Sequence, residues 1–205
     1  MTGRLEIDMS LVGNEAPDFT AAVVTADGGF DSFTLSEQRG KYVVLFFYPL
    51  DFTFVCPSEL LAFNHRMDEF TKRGVEVVGC SVDSEHTHWA WRQTPVESGG
   101  IGSLNYSLIA DLDKEIAYQY DVLHEEKVAL RGSFLIDKEG VIQHAVINNL
   151  PLGRNVNEMI RMVDALQFHE THGEVCPAGW NAGDEGMKDT HDGVAEYLSK
   201  NADNL

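Results

Sequence analysis

Phe46-Phe47-Tyr48-Pro49-Leu50-Asp51-Phe52-Thr53-Phe54-Val55-Cys56-Pro57-Ser58-Glu59 places one cysteine where an apolar strand hands over to a helix. Val43 to Tyr48 is continuous, apolar and partly β-branched, the pattern of a strand buried on both faces of a central sheet. Proline is favoured at the first helical position, so Pro57 predicts a helix start, and Leu60, Leu61, Phe63, Met67 and Phe70 recur at helical spacing behind it. Cys56 then falls beside the positive end of a helix dipole, a position that favours the nucleophilic thiolate, more so with a cationic neighbour. Thr53, three positions earlier, can turn its hydroxyl toward the sulfur. Pro49 has no N–H to donate and stiffens the strand exit, giving the loop a rigid, partly apolar wall. The competing reading is an ordinary buried thiol, the common fate of free cysteine; a packing motif would not need the Thr53 hydroxyl.

Outward from this stretch the chain alternates between elements. After an irregular N-terminal region, strand 42–48 and helix 57–73 lead to strand 75–82 and a short helix near 85–93, a βαβ unit. Ser107 to Ala110 reads as a brief strand and Asp113 to Tyr120 as a short helix with acidic residues early. Strands from Gly132 to Asp137 and Val141 to Ile147 flank Asp137-Lys138-Glu139-Gly140, whose glycine suits a tight turn. Asn155 can cap a helix running to about His169, with Met159, Ile160, Met162, Val163, Leu166 and Phe168 on its apolar face. Beyond about 170 the chain reads as an extended arm with one short helix near 192–200. The predicted fold is α/β, a mixed sheet between helices, with a main domain over 8–169 and an arm over 170–205.

Composition limits the function. Fifteen basic against thirty-three acidic side chains give a formal charge of −18, which disfavours nucleic acid and anionic membrane surfaces as partners. No stretch approaches the roughly eighteen apolar residues of a membrane span, and Met1 to Asp8 lacks the basic and apolar regions of a signal peptide, so a cytoplasmic protein is expected. Three cysteines, at 56, 80 and 176, make no disulfide framework and in a reducing compartment are catalytic or buried. Cys80 lies in the strand Val75 to Val82 and reads as packing, whereas Cys176 sits among turn formers in a segment able to move. Cys56 and Cys176 lie 120 positions apart, which excludes a local Cys-x-x-Cys pair, so a bridge between them needs tertiary or quaternary structure. His86 and His88, and His169 and His172, are close in sequence, but no cysteine or third histidine lies at ligand spacing, and no metal is expected.

Tyr48 to Glu59 resembles the active-site signature of the typical two-cysteine peroxiredoxins. The resemblance extends through Ala16-Pro17-Asp18-Phe19, Gly79 to Ser84, Trp89-Ala90-Trp91, Leu130-Arg131-Gly132, Asn149 to Arg154 and Gly173 to Trp180, and is greatest to bacterial alkyl hydroperoxide reductase C components of the thioredoxin-dependent kind. It implies a thioredoxin-like fold without a cofactor. It also implies a thiol peroxidase acting on hydrogen peroxide and small organic hydroperoxides, recycled by thioredoxin or a flavoprotein disulfide reductase. Carried onto this chain, Cys56 is the peroxidatic and Cys176 the resolving cysteine, the latter from the partner chain of an antiparallel homodimer, five of which can close into a decamer. Arg131, at the mouth of an apolar strand where it keeps its charge, matches the arginine that contacts the reactive sulfur. Pro49 and Thr53 complete the site, and Glu59 and Arg154 match a supporting network in which a carboxylate fixes arginine geometry. Gly99-Gly100-Ile101-Gly102 and Tyr197-Leu198 resemble a loop and helix that pack together in overoxidation-sensitive members, with leucine here in place of phenylalanine at the second helix position. The alternative main role is a redox-switched holdase chaperone, which needs no Thr53, Arg131 or mobile Cys176.

Overall fold

The structure, a computed structural model, describes residues 10–205, so the first two residues of the domain expected over 8–169 lie outside the described residues. Thr20–Val24 (β1) and Phe30–Thr34 (β2) form an antiparallel hairpin paired from Thr20 with Thr34 to Val24 with Phe30. An irregular segment was expected here. The alternation is masked by exposed Thr20, Asp31 and Ser32, while Gly28 at φ +88° turns the chain and Gly29 O accepts from the Thr25 N–H.

Tyr42–Phe47 (β3) is buried along its whole length, as its unbroken apolar run requires. Behind it come Cys56–Asn64 (α1) and Met67–Lys72 (α2), where one helix over 57–73 was expected. At Arg66 the backbone leaves helical geometry (φ −109°, ψ 6°) and its N–H bonds Phe63 O at 3.0 Å. Phe63, Met67 and Phe70 stay buried across the break, so apolar spacing carries no sign of it.

Val75–Ser81 (β4), Glu85–Gln93 (α3) and Ser107–Ala110 (β5) follow as expected, α3 being capped by the Ser84 side chain. Glu115–Gln119 (α4) is shorter than the helix expected over 113–120. Lys114 is left-handed at φ +67°, and the buried Asp111 carboxylate accepts the N–H groups of Ile116 and Ala117 at 3.0 and 2.8 Å. Leu123–His124 (β6) and Val128–Ala129 (β7) form a small ladder too short to show periodicity, its turn made by left-handed Glu125 and Glu126 rather than glycine or asparagine. Arg131–Ile136 (β8) and Ile142–Asn148 (β9) close the sheet through the expected turn, with Gly140 at φ +86°.

The sheet order is β2-β1-β5-β4-β3-β8-β9, with β3, β4 and β5 parallel and the other neighbours antiparallel. Strand β3 lies inside the sheet and feeds both faces. Val43, Leu45 and Phe47 enter a core with Phe19, Tyr120 and Phe134, while Phe46 stacks on Phe63 of α1 at 4.1 Å between ring centroids. That second contact sets α1, and with it Cys56, against the strand that precedes it.

One compact unit ends at Arg154, and a second runs from Asn155 to Leu205. The second unit thus begins with the long helix. Val156–His172 (α5), capped by the Asn155 side chain, carries its own tail: Phe168 packs on Trp180 at 4.8 Å, and Arg161 donates to Trp180 O at 2.8 Å. Val175 and Met187 exchange backbone hydrogen bonds, and His191–Asn201 (α6) follows, capped by Thr190. No helix among the described residues is long and apolar enough to cross a membrane.

Candidate active site

The end of β3 and the start of α1 are joined by an eight-residue loop from Tyr48 to Val55. Tyr48 extends the strand, its N–H bonding Cys80 O at 2.9 Å, and buried Pro49 then turns the chain away. Cys56 is the first residue of α1 and is wholly buried; Pro57 occupies the second helical position, one later than expected, and equally needs no hydrogen-bond partner there. Thr53 Oγ1 lies 3.0 Å from Cys56 Sγ and 2.8 Å from Leu50 O. A hydroxyl has a single proton, so Thr53 donates to the sulfur or to the carbonyl, and as an acceptor it stays open to a donor from substrate.

Arg131, the first residue of β8, reaches the same sulfur. Its Nη1 is 3.3 Å from Cys56 Sγ and 2.6 Å from Glu59 Oε2, while Nε donates to Leu150 O at 2.7 Å. Glu59 faces inward one helical turn after Cys56. Its other oxygen accepts from the Arg154 backbone N–H at 2.9 Å and from Arg154 Nε at 2.8 Å. Arg154 Nη1 in turn donates to Gly132 O and Ser133 Oγ on β8. The three charged side chains are only 3 to 5% exposed, so they form a buried network rather than a surface ion pair. Burial alone would push the Glu59 carboxyl up, but the Arg154 hydrogen bonds and charge, with Arg131 behind them, hold it below the usual carboxylate range. Two guanidiniums against one carboxylate leave one positive charge, which a Cys56 thiolate neutralises.

A second buried polar cluster adjoins the loop and was not foreseen. His88, considered above beside His86, parts company with it: His86 lies near the Phe30 ring, whereas His88 is fully buried with Nδ1 2.7 Å from Asp51 Oδ2 and Nε2 3.0 Å from Ile109 O. The Tyr48 hydroxyl donates to Asp51 Oδ1 at 2.8 Å. Only the position of Asp51 two residues before Thr53 could have signalled it.

Cys80 is enclosed in β4, where burial pushes its thiol well above the usual range. Cys176 belongs to the second unit. Its sulfur is half-buried against Ala165 O at 3.4 Å, and desolvation raises its pKa against the opposing charge of Arg161. The structure thus brings together Cys56, Thr53, Arg131, Glu59 and Arg154. Among the described residues no group of three or more histidine, cysteine or acidic side chains is arranged to hold a metal ion.

Residues 12–145 match the AhpC/TSA family, and residues 165–200 match the C-terminal domain of 1-Cys peroxiredoxin. Alkyl hydroperoxide reductase C of Helicobacter pylori is 57% identical over 94% of this chain and 98% of its own, and mouse peroxiredoxin-2 is 52% identical over 92% and 96%. The reduced 2-Cys peroxiredoxin of Plasmodium vivax superposes with a TM-score of 0.92 at 49% identity, covering 93% of this chain and all of that one. The mixed sheet flanked by helices is accordingly a thioredoxin-like fold. With a buried thiol held between a hydroxyl and a guanidinium, and relatives of this closeness along nearly its whole length, the chain belongs to the AhpC/TSA family and is a peroxiredoxin, a thiol peroxidase.

Proposed function

We infer that Cys56 is the peroxidatic residue and that Thr53 and Arg131 bind and activate the hydroperoxide beside it. The observation that carries this is the convergence of Thr53 Oγ1 and Arg131 Nη1 on one buried sulfur at the first residue of a helix. The Cys56 thiolate attacks the terminal oxygen of hydrogen peroxide or a small alkyl hydroperoxide. An S–O bond forms as the O–O bond breaks, and the leaving oxygen takes a proton to depart as water or alcohol, leaving a sulfenic acid. Arg131 is placed to stabilise the charge on the breaking bond, which for one preorganised donor is worth about 3 kcal/mol. Pro49 shields the loop, and Glu59 and Arg154 orient Arg131.

The Cys176 thiol then condenses with the sulfenic acid, releasing water and forming a disulfide that an external dithiol reduces by exchange. By likeness to the family, Cys176 comes from the partner chain of a homodimer that assembles into a decamer, the reductant is thioredoxin or a flavoprotein disulfide reductase, and the setting is cytoplasmic. A non-reducing gel of pre-reduced protein after one equivalent of hydrogen peroxide tests the cycle. A covalent dimer absent from both Cys56→Ser and Cys176→Ser is expected. An internal disulfide in a monomer band would move resolution inside one chain, and no loss of thiols would defeat the reading.

A further inference from the structure

The loop that brings Thr53 to Cys56 is anchored by groups that the chemistry above does not use. Asp51 is the anchor point. Its fully buried carboxyl accepts the Tyr48 hydroxyl on one oxygen and meets His88 Nδ1 with the other, and its backbone N–H donates to Asp83 Oδ2 at 2.9 Å. Asp83 is itself fixed by the Ser81 hydroxyl at 2.7 Å. His88 completes the tie across the sheet by placing Nε2 against Ile109 O of β5. A carbonyl only accepts, so Nε2 carries a proton and a further proton lies in the hydrogen bond between Nδ1 and Asp51. Written as imidazolium and carboxylate or as imidazole and carboxylic acid, the couple is neutral as a unit. A buried network with each member partnered is stiff, because breaking one bond strands the others away from water.

The residue after this anchor is under backbone strain. Phe52 has φ +53°, a left-handed conformation that a bulky side chain keeps only when its surroundings impose it. The residue is 52% exposed and its ring only tilts against Trp91 at 5.7 Å, so burial of the side chain does not account for the turn. Anchored Asp51 lies on one side of it. Thr53 lies on the other, with its hydroxyl returning to Leu50 O and to the Cys56 sulfur.

We propose that Asp51 and His88 are positioning residues for peroxide reduction: the buried pair clamps the left-handed turn at Phe52 and so holds the Thr53 hydroxyl against Cys56 Sγ. This rests on the reading of Cys56 as the reacting thiol and Thr53 as its hydroxyl partner. A clamp that acts through Thr53 has nothing to position once that hydroxyl is gone, whereas general damage to the fold persists without it.

The test is the second-order rate constant for the first turnover of the pre-reduced full chain with hydrogen peroxide, in wild type, His88→Gln, Thr53→Val and the double variant. His88→Gln is expected to slow the reaction about 10- to 100-fold, the scale of a misplaced reacting group, and less than about twofold in the Thr53→Val background. Equal losses in the two backgrounds, or no loss beside Thr53, would overturn the clamp. Tyr48→Phe removes one Asp51 hydrogen bond without stranding a buried charge, so it carries the same test should His88→Gln not fold. A loss of about threefold that vanishes with Thr53→Val is expected, and one that persists there would overturn the clamp. Cys56→Ser separates the two levels: if it reacts like wild type the assignment of Cys56 fails, and if it is inert while His88→Gln is unaffected only the clamp fails.

Discussion

Glu59→Gln isolates what a buried carboxylate does for the thiol it never touches. The two side chains are nearly isosteric, so the change is one of charge and donor pattern. Glu59 Oε1 accepts two N–H groups from Arg154, and Oε2 accepts one from Arg131 at 2.6 Å. A glutamine has one carbonyl oxygen, and it satisfies more donors by staying with Arg154. Its NH2 group then faces Arg131 Nη1, donor against donor, and Arg131 is left with Leu150 O as its remaining anchor. Breaking a buried ion pair by neutralising one member costs about 3 to 5 kcal/mol, which for a chain of this size lowers the unfolding midpoint by roughly 6 to 20 °C. The reaction suffers separately. If Nη1 moves out of reach of the sulfur for most of the time, much of the roughly 3 kcal/mol available from that donor is lost, so kcat/KM falls about 10- to 100-fold. Removing the negative charge acts the other way, since it leaves the thiolate facing more net positive charge, but point-charge attraction across a displaced donor falls short of a direct hydrogen bond. Single-turnover kinetics with hydrogen peroxide, beside thermal unfolding of the reduced protein, measure both. A Glu59→Gln protein with the expected loss of stability and a rate within twofold of wild type would show that Arg131 keeps its place without Glu59.

Arg131→Lys should retain charge but lose the fork that serves the sulfur, Glu59 and Leu150 together; stopped-flow peroxide reduction about 10-fold or more below wild type is expected. Asp111, its carboxyl raised by burial to about 6 against the hydrogen bonds from Ala117 and Ile116, favours the protonated folded state, so its contribution is fully present below the unfolded value near 3.8 and is lost as pH rises through about 6. Up to roughly 3 kcal/mol of stability should fall away across that window, and Asp111→Asn should flatten the slope seen in urea unfolding between pH 4 and 7. Cys80→Ala, in a strand interior, should cost about 1 kcal/mol in denaturant unfolding and leave the peroxide rate unchanged; a large kinetic effect would assign Cys80 a chemical role. Leu198→Phe restores an aromatic ring at the second position of the Tyr197-Leu198 pair and should lower the peroxide dose that converts Cys56 to its sulfinic acid, read by mass spectrometry.

The parts of this fold written in neighbouring residues were legible. Val43 to Tyr48 could only be a strand buried on both faces, and Pro57 with the apolar spacing behind it placed Cys56 at a helix start to within one residue. Thr53 three positions before the sulfur needed no more than the reach of one loop. The β1–β2 hairpin escaped because exposed polar side chains interrupt its alternation. The break at Arg66 escaped for the opposite reason, since its apolar spacing continues through it.

The charged interior follows a different rule. Glu59 is assigned to the arginine network through the resemblance alone, since nothing in its neighbouring residues predicts that a carboxylate one turn after the cysteine is 3% exposed. Its partners lie 72 and 95 positions away, and the Asp51–His88 pair spans 37. A buried charge is tolerated only when its partners arrive with it, so each such residue is decided by the assembled sheet rather than by its own segment. Strand β8 is where these long connections meet. It contributes Arg131 through its side chain, and it fixes Arg154 through Gly132 O and Ser133 Oγ, so both guanidiniums are referenced to one strand that pairs directly with β3. Because β3 also aims the loop that carries Thr53 and Cys56, the donor and the nucleophile are positioned from adjacent strands of one rigid sheet. A substitution that shifts the register of β8 against β3 would therefore be expected to damage catalysis before it unfolds the chain.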